Sequence, residues 1–345
     1  MKDCESKQAE QNPPLGYSLA DIQSAANAKY GYSAQQVLNC CQKLYEVCKL
    51  TSYPRSDCQY LPTSQFSDVK QVLAALKSVN PDLAAAVAGA NPALKSKIWN
   101  DAKISAHHAI IPTQNARPAE MAEDEKNVYR LLVLRYLCQF YPPAKLSKSR
   151  LTVSVNGFDF VCSGTAVLDP GWKKIAGGDE AANDKKGQEE DQKVPALKKG
   201  QAVTVEKIAA VRELTKAPPH YTEGSLIKAM QNIAASISDP RAKKWLKDGD
   251  GIGTSATRAG IIDKLKRTGM LELKGKNLLA TAKACTVLAE LNVYVKDPIM
   301  TAKWEEMLQG IEDGTSSLAD FEARQRKFAT DIVNETKEKK IAIQA

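Results

Sequence analysis

Along most of this chain, apolar residues recur every three or four positions, which is the spacing of a helix with one buried face. Leu19, Ile22 and Ala26 form one such face, and Ser18 just before them is a favoured N-cap residue. Ser33 stands in the same way before a second apolar run. The pattern predicts helices over residues 18–30, 33–49, 65–78, 92–99, 120–140, 222–236, 255–268, 301–308 and 317–340.

Strict alternation of apolar and polar residues, which is typical of strands, is confined to a few short stretches. The clearest lies on both sides of Asn156-Gly157, a pair that favours a hairpin turn. The predicted fold class is therefore mainly α with a small antiparallel β region. Strands are predicted at residues 150–155, 158–162, 203–208, 271–273 and 278–279, the last two following a helix as in a winged helix.

Changes in composition predict the domain organisation. Residues 1–12 are polar and are expected to form a flexible start. Residues 13–138 are predicted to be a helical domain, and residues 139–215 a β-containing region with an exposed loop at 176–195. Residues 216–340 are predicted to be a helical, winged-helix-like domain.

Composition excludes some classes of protein. The chain has 345 residues, 43% of them hydrophobic, yet no run of about 18 apolar residues that would span a membrane. Its first residues lack the apolar core of a signal peptide, so a cytoplasmic location is expected. Its 8 cysteines form no C-x-x-C pair and only 3 histidines are present, so no zinc site is predicted. The net charge of +8 is compatible with a polyanionic partner but does not establish one.

The segment from Thr51 to Asp57 is the most informative chemically. A tyrosine phenol is a nucleophile that can attack a phosphodiester, and Tyr53 stands on a loop stiffened by Pro54. The guanidinium of Arg55 can direct two N–H donors at the phosphate oxygens and stabilise the charge that develops there. The tripeptide Tyr53-Pro54-Arg55 alone is common in loops, so the sequence around it decides whether it is interpreted as catalytic.

Those surroundings carry ordered motifs. In chain order they are Pro13-Pro-Leu-Gly-Tyr-Ser-Leu19, Gln42-Lys-Leu-Tyr-Glu46, Leu50-Thr-Ser-Tyr-Pro-Arg-Ser-Asp-Cys-Gln-Tyr-Leu-Pro62, Asp101-Ala-Lys-Ile-Ser-Ala-His-His-Ala-Ile-Ile-Pro-Thr113, Pro219-His-Tyr-Thr-Glu223 and Asp250-Gly-Ile-Gly-Thr-Ser-Ala-Thr-Arg-Ala-Gly-Ile-Ile262. Together they closely resemble the motifs of type IA DNA topoisomerases, most of all the bacterial DNA topoisomerase III group. The resemblance covers nearly the whole chain.

The resemblance implies roles for single residues. Tyr53 would form a 5′-phosphotyrosine link to DNA, and Arg55 would position the scissile phosphate. His107 would lie near the cleaved strand, where an imidazole can bond to phosphate, and a purely structural side chain is its alternative. His108 is interpreted as structural.

Further DNA-binding residues are implied in the same way. Gln42 and Glu46 share one helix face, which would lie beside the entering strand or else be a solvated polar face. The hydroxyl of Ser52 would donate to a phosphate. Thr257 and Arg258 would bind the strand, with a helix cap and a surface arginine as the alternative.

The family also implies what this chain lacks. Type IA enzymes form a ring around DNA, so a partial ring is expected here. Their acidic Toprim domain precedes the tyrosine region, and the residues before Tyr53 show no such pattern. Mg²⁺ is therefore expected to be bound by that domain and not by this chain, which carries no predicted metal ligands. A separate Toprim-containing polypeptide is an expected partner.

Two functions stay open. The first is the catalytic region of a type IA DNA topoisomerase, which cuts, passes and reseals single strands without ATP, since the chain has no G-x-x-x-x-G-K-[ST] motif. The second is a non-catalytic single-strand DNA-binding remnant or split subunit that needs a Toprim partner. A tyrosine recombinase is more distant, because its His-x-x-Arg motif is missing before Tyr53.

Overall fold

The computed structural model describes residues 2–104, 106–117, 119–176, 199–248 and 251–339. This part of the chain is mainly helical and contains two small antiparallel sheets, as predicted. Its helices are α1 (Leu19–Tyr30), α2 (Ala34–Glu46), α3 (Val69–Val79), α4 (Ala84–Ala88), α5 (Glu123–Cys138), α6 (Lys173–Ala176), α7 (Glu223–Gln231), α8 (Pro240–Asp248), α9 (Arg258–Arg267), α10 (Ala282–Glu290), α11 (Val293–Lys296), α12 (Pro298–Glu312) and α13 (Leu318–Thr336). Its strands are β1 (Asp3–Gln11), β2 (Ala144–Val155), β3 (Phe158–Asp169), β4 (Leu271–Lys274) and β5 (Asn277–Ala280), and short 3₁₀ helices occupy Thr63–Asp68, Pro81–Leu83, Asp101–Lys103 and Ile233–Ser236.

The chain folds into two compact units that do not follow its linear order. Residues Met1–Ser18 and Lys43–Pro218 form one, called the tyrosine unit because it contains Tyr53. Residues Leu19–Gln42 and Pro219–Ala345 form the other, called the helical unit. The domain boundaries predicted along the sequence therefore differ from these units, since residues 19–42 belong with the carboxy-terminal part.

The sheet of the tyrosine unit has the order β1-β2-β3. Asn156 (φ 50°) and Gly157 (φ 84°) make the turn between β2 and β3, so the predicted hairpin is confirmed, although both strands are longer than predicted. The predicted flexible start at residues 1–12 is wrong, because β1 pairs with β2 along Asp3–Gln11. Much of β1 is solvent-exposed, so backbone hydrogen bonds to β2 hold it in the sheet. Backbone pairing does not require alternating apolar side chains, and the sequence of β1 shows no such alternation.

The core of the tyrosine unit forms around α5, whose Val128, Leu132 and Tyr136 are buried. The helix predicted over residues 92–99 is absent from this described segment. Asn91 side-chain Oδ1 accepts the backbone N–H of Ala93 (3.0 Å), an Asx turn that competes with the first helical turn. Trp99 instead forms a bridge with Leu61.

The helical unit is organised around Glu223, at the start of α7. Its buried carboxylate accepts the backbone N–H of Ala34 at the start of α2 (2.8 Å) and the ammonium of Lys266 on α9 (2.6 Å). Thr222 caps α7, as predicted, by accepting the N–H of Ser225. The helix α9 and the β4–β5 hairpin follow each other as in the predicted winged helix.

Two further predictions concern the sequence from the end of α6 onward. The predicted strand at residues 203–208 is wrong, because this segment is exposed and joins neither sheet of the described chain. The predicted loop at 176–195 lies outside the described residues from residue 177 onward.

Candidate active site

The loop that carries Tyr53 begins where α2 ends. Lys49 has a left-handed backbone (φ 57°), and the N–H of Leu50 donates to the carbonyl of Leu44 (2.9 Å). A left-handed residue ends the helix here, and glycine is the usual residue at such a position. It reverses the chain and buries Leu50, so that the next residues leave the helix in a fixed direction.

The loop is then fixed to the segment that follows the histidine pair. The backbone N–H of Ser52 donates to the carbonyl of Ile111 (2.8 Å), and the N–H of Ile111 donates to the Ser52 hydroxyl (3.0 Å). That hydroxyl in turn donates to the carbonyl of Ala109 (3.2 Å). The Ser52 hydroxyl, predicted to bind phosphate, therefore already donates and accepts within the protein and holds the residue before the tyrosine.

Two aromatic rings flank Tyr53. The His107 ring lies 4.6 Å away between centroids at an angle of 37°, and the Tyr45 ring lies 5.7 Å away at 87°. The Lys49 ammonium is 5.8 Å from the centre of the Tyr45 ring, within the range of a cation–π contact. Tyr53 remains 38% exposed, so its phenol is supported on two sides and open to a ligand from solvent.

Arg55 follows the buried Pro54 and is exposed. His107 is exposed as well. The structure thus brings Tyr53 and His107 together, with Arg55 two residues beyond the tyrosine on the same loop.

The histidine segment is anchored by Asp101. Its carboxylate accepts the backbone N–H (2.8 Å) and the hydroxyl (2.5 Å) of Thr63. The bond from the Thr63 hydroxyl, and then the one from the backbone, lower the pKa of Asp101 below its usual value. These bonds fix the 3₁₀ turn Asp101–Lys103, from which the chain continues to His107.

His108 is held by protein groups on both ring nitrogens. Its Nδ1 lies 2.8 Å from the carbonyl oxygen of Ala109, and its Nε2 lies 3.1 Å from Nε2 of Gln65. The structural interpretation of His108 fits these contacts.

In the helical unit, Thr257 and Arg258 hold the loop before α9. The Thr257 hydroxyl accepts the N–H of Thr254 (2.8 Å). Arg258 is buried and donates to the carbonyls of Ile252 (3.1 Å) and Gly253 (2.8 Å). The geometry favours a loop-holding role for both, and Arg258 is not the surface arginine that the alternative assumed.

Comparison with known proteins places these motifs in a family. The family model described as DNA topoisomerase matches residues 1–323. The chain belongs to this DNA topoisomerase family. The resemblance to type IA DNA topoisomerases is thereby confirmed.

Similar topoisomerases are known from several bacteria. The chain is 36% identical to DNA topoisomerase 3 of Pasteurella multocida over 95% of its length and 50% of the relative's. It is 39% identical to DNA topoisomerase 3 of Vibrio cholerae, covering 91% of this chain and 48% of the relative. The chain therefore spans about half the length of the curated relatives it matches.

A solved topoisomerase structure shows the same fold. Full-length topoisomerase I from Thermotoga maritima superposes with a TM-score of 0.66 at 18% identity, over 97% of this chain and 52% of that one. In the described residues no helix is long and apolar enough to cross a membrane. The same residues contain no group of three or more His, Cys, Asp or Glu side chains arranged for a metal ion.

Within this topoisomerase fold, Gln42 and Glu46 both lie on α2, with Gln42 partly buried and Glu46 exposed. Sequence reasoning missed Tyr45 and Asp101, although both stand inside the quoted motifs. Tyr45 stands in a helix that ends a few residues before Tyr53, which was the available signal. Asp101 had no signal of its own, because its partner Thr63 is distant in sequence.

Proposed function

We propose that this chain carries the strand-cleaving tyrosine of a type IA DNA topoisomerase and that its substrate is single-stranded DNA. The observation that supports this most is the exposed phenol of Tyr53, flanked by His107 and Tyr45 and followed by the exposed Arg55. Family membership, with the motif around Tyr53 inside the matched residues, also supports it. A DNA substrate would place the protein in the cytoplasm, at the nucleoid.

In the proposed step, the phenol oxygen of Tyr53 bonds to phosphorus while the bond from phosphorus to the 3′ oxygen breaks. The phenol gives up its proton and the 3′ oxygen takes one up. The products are a 5′-phosphotyrosine and a free 3′ hydroxyl. Religation is the reverse, and no ATP is needed because the covalent link keeps the energy of the phosphodiester.

The side chains of this chain would supply charge and position. Arg55 would direct two N–H donors at the non-bridging oxygens, where negative charge develops in the transition state. His107, against the Tyr53 ring, would hold the phenol and donate to the same phosphate. Glu46 and Gln42 on α2 would contact the strand.

Mg²⁺ does not fit the side chains described here, since they form no acidic cluster. We therefore assign no step to a metal in this chain. The acidic groups of a type IA enzyme would come from a Toprim domain, either in a longer form of the protein or in a separate polypeptide. The chain would need that domain for cleavage.

The test combines this chain with a separately produced Toprim domain of a similar topoisomerase, Mg²⁺ and a single-stranded oligonucleotide labelled at its 3′ end. A denaturing gel should show a labelled protein adduct that Tyr53→Phe abolishes and that Tyr294→Phe, which changes an exposed tyrosine of the helical unit, preserves. Adduct formation by Tyr53→Phe would rule out this nucleophile.

The alternative function, a strand-binding remnant without catalysis, predicts a different result in the same reaction. The chain would bind the oligonucleotide, with affinity falling steeply between low and moderate salt as phosphate contacts are screened, and would form no adduct with any partner.

A further inference from the structure

We propose that Lys49 binds a backbone phosphate of the strand that Tyr53 cuts, next to the scissile phosphate. Lys49 is exposed, belongs to the tyrosine unit and lies where α2 gives way to the tyrosine loop. The inference rests on the function proposed above. It adds to that function a contact that holds the strand beside the point of cleavage.

The backbone of Lys49 is unfavourable for a lysine. Its φ of 57° lies in the left-handed region, where a Cβ is crowded and glycine is the usual residue. Asn156, the other described non-glycine residue with a positive φ, stands in a hairpin turn that favours asparagine. A glycine would serve the helix end at Lys49 equally well, so the backbone does not call for a lysine. A residue held in such a position indicates a use for its side chain.

Hydrogen bonds fix the backbone from which this side chain projects. The carbonyl of Lys49 accepts the hydroxyl of Thr113 (2.7 Å). The carbonyl of Cys48, one residue earlier, accepts Nδ2–H of Asn115 (3.0 Å). Both bonds join the helix end to the segment that follows the histidine pair. The Cα of Lys49 is therefore held in place, and its flexible four-carbon stem decides where the ammonium lies.

The ammonium lies one aromatic ring away from the nucleophile. It is 5.8 Å from the centre of the Tyr45 ring, and that ring lies 5.7 Å from the Tyr53 ring between centres, at an angle of 87°. Within the described residues Lys49 has no carboxylate partner, and Asp68, which lines the same cavity, forms no ion pair with it. An exposed contact with a ring is weak, so the charge is available to a phosphate.

The ammonium also has room to leave the ring. A cavity of about 410 Å³ adjoins it, with Lys49 and Ser52 among its walls. Lysine binds phosphate as a point charge with three donors, whereas the planar fork of arginine suits two oxygens at once. Arg55 therefore suits the scissile phosphate, where charge develops, and Lys49 suits its neighbour, whose charge stays constant. Lys49 should then contribute to holding DNA and not to the chemical step.

Binding is tested on the whole chain with a fluorescent single-stranded oligonucleotide, by anisotropy at several salt concentrations. Lys49→Gln should weaken binding several-fold at low salt. It should also make the plot of log affinity against log salt concentration less steep by about 0.7, the share of one phosphate contact on a single strand. Lys49→Arg keeps the charge and should therefore keep the wild-type affinity and slope.

Lys49→Gly separates DNA binding from stability. It relieves the left-handed backbone, so it should unfold at a higher urea concentration than the wild type while binding DNA as weakly as Lys49→Gln. A lysine with only a structural role would leave the DNA affinity of this variant intact. Lys77→Gln, which neutralises an exposed lysine of α3, is the matched control and should keep the wild-type slope. Wild-type affinity and slope in folded Lys49→Gln or Lys49→Gly overturns the proposal.

The reconstituted cleavage reaction then shows which phosphate Lys49 binds. In single turnover, Lys49→Gln should raise the DNA concentration for half-maximal rate several-fold and change the maximal rate by less than about two-fold, because the bound phosphate does not react. A large loss of maximal rate would place Lys49 at the scissile phosphate and overturn the assignment. If Lys49→Gln changes the salt slope as expected but the wild type forms no adduct, the proposed function fails while the phosphate contact stands.

Discussion

The imidazole of His107 lies against the phenol ring of Tyr53, with ring centres 4.6 Å apart. The two residues are far apart in sequence and are brought together because the tyrosine loop is bonded to the segment that follows the histidine. Both side chains are exposed, so a phosphate that reaches the phenol also reaches the imidazole.

We expect His107→Ala to slow adduct formation about 100-fold in the reconstituted enzyme, because a positioned proton donor contributes at least that much. The rate is measured in single turnover with 3′-labelled DNA. His220→Ala, which removes an exposed histidine of the helical unit, is the control and should keep the wild-type rate. An unchanged rate in His107→Ala would show that the ring contact only fills space.

The left-handed Lys49 gives a prediction about stability. Lys49→Gly should raise the free energy of unfolding by about 0.5–1 kcal/mol, because glycine adopts this conformation without the steric penalty of a Cβ. Lys49→Val should lower it by at least as much. Urea denaturation measures both. A loss of stability in Lys49→Gly would mean that the contact with Tyr45 outweighs the backbone strain.

The buried Glu223 gives a larger effect. Glu223→Gln should lower the unfolding free energy of the helical unit by about 3 kcal/mol, because the partly buried Lys266 ammonium then loses its counter-charge. Asp331→Asn, which breaks the exposed pair with Lys327, should change it by less than about 0.5 kcal/mol. Equal effects of the two substitutions in thermal or chemical denaturation would refute the central role of Glu223.

Asp101 predicts a pH dependence. Its pKa in the folded protein lies below the usual 3.8, so the bonds to Thr63 stabilise the folded protein above pH 3.8. This stabilisation is lost as the pH falls below that value. The stability difference between wild type and Asp101→Asn should therefore be constant from about pH 7 to 5 and shrink toward pH 3. A difference that persists or grows in acid would contradict this sign.

The local features of the fold were predictable from the sequence. Ser18 and Ser33 predicted where α1 and α2 begin, and the N–H of Gln36 indeed donates to the Ser33 hydroxyl (3.1 Å). Asn156-Gly157 predicted the hairpin, since only a few residues adopt positive φ readily. Each of these signals acts over a few neighbouring residues.

The missed features depend on distant partners. Nothing in the polar sequence of β1 marks it as a strand, because its ladder partners in β2 come more than a hundred residues later. Tyr53 itself was predicted through its motif. The hydrogen bonds from Ser52 and Arg258 to backbone carbonyls could not be predicted from the sequence, because a hydroxyl or a guanidinium can bind DNA equally well.

The two outer strands of the β1-β2-β3 sheet differ in the charges and apolar side chains they carry. Each has one backbone edge that pairs with no other strand of the described chain. The strand β1 carries charges of both signs, whereas β3 has only two aspartates and exposes Phe158, Val161 and Leu168. An edge without lysine or arginine admits another strand more readily. At high concentration, copies of this chain should therefore add to one another through β3, and Val161→Lys should raise the concentration at which such aggregates appear.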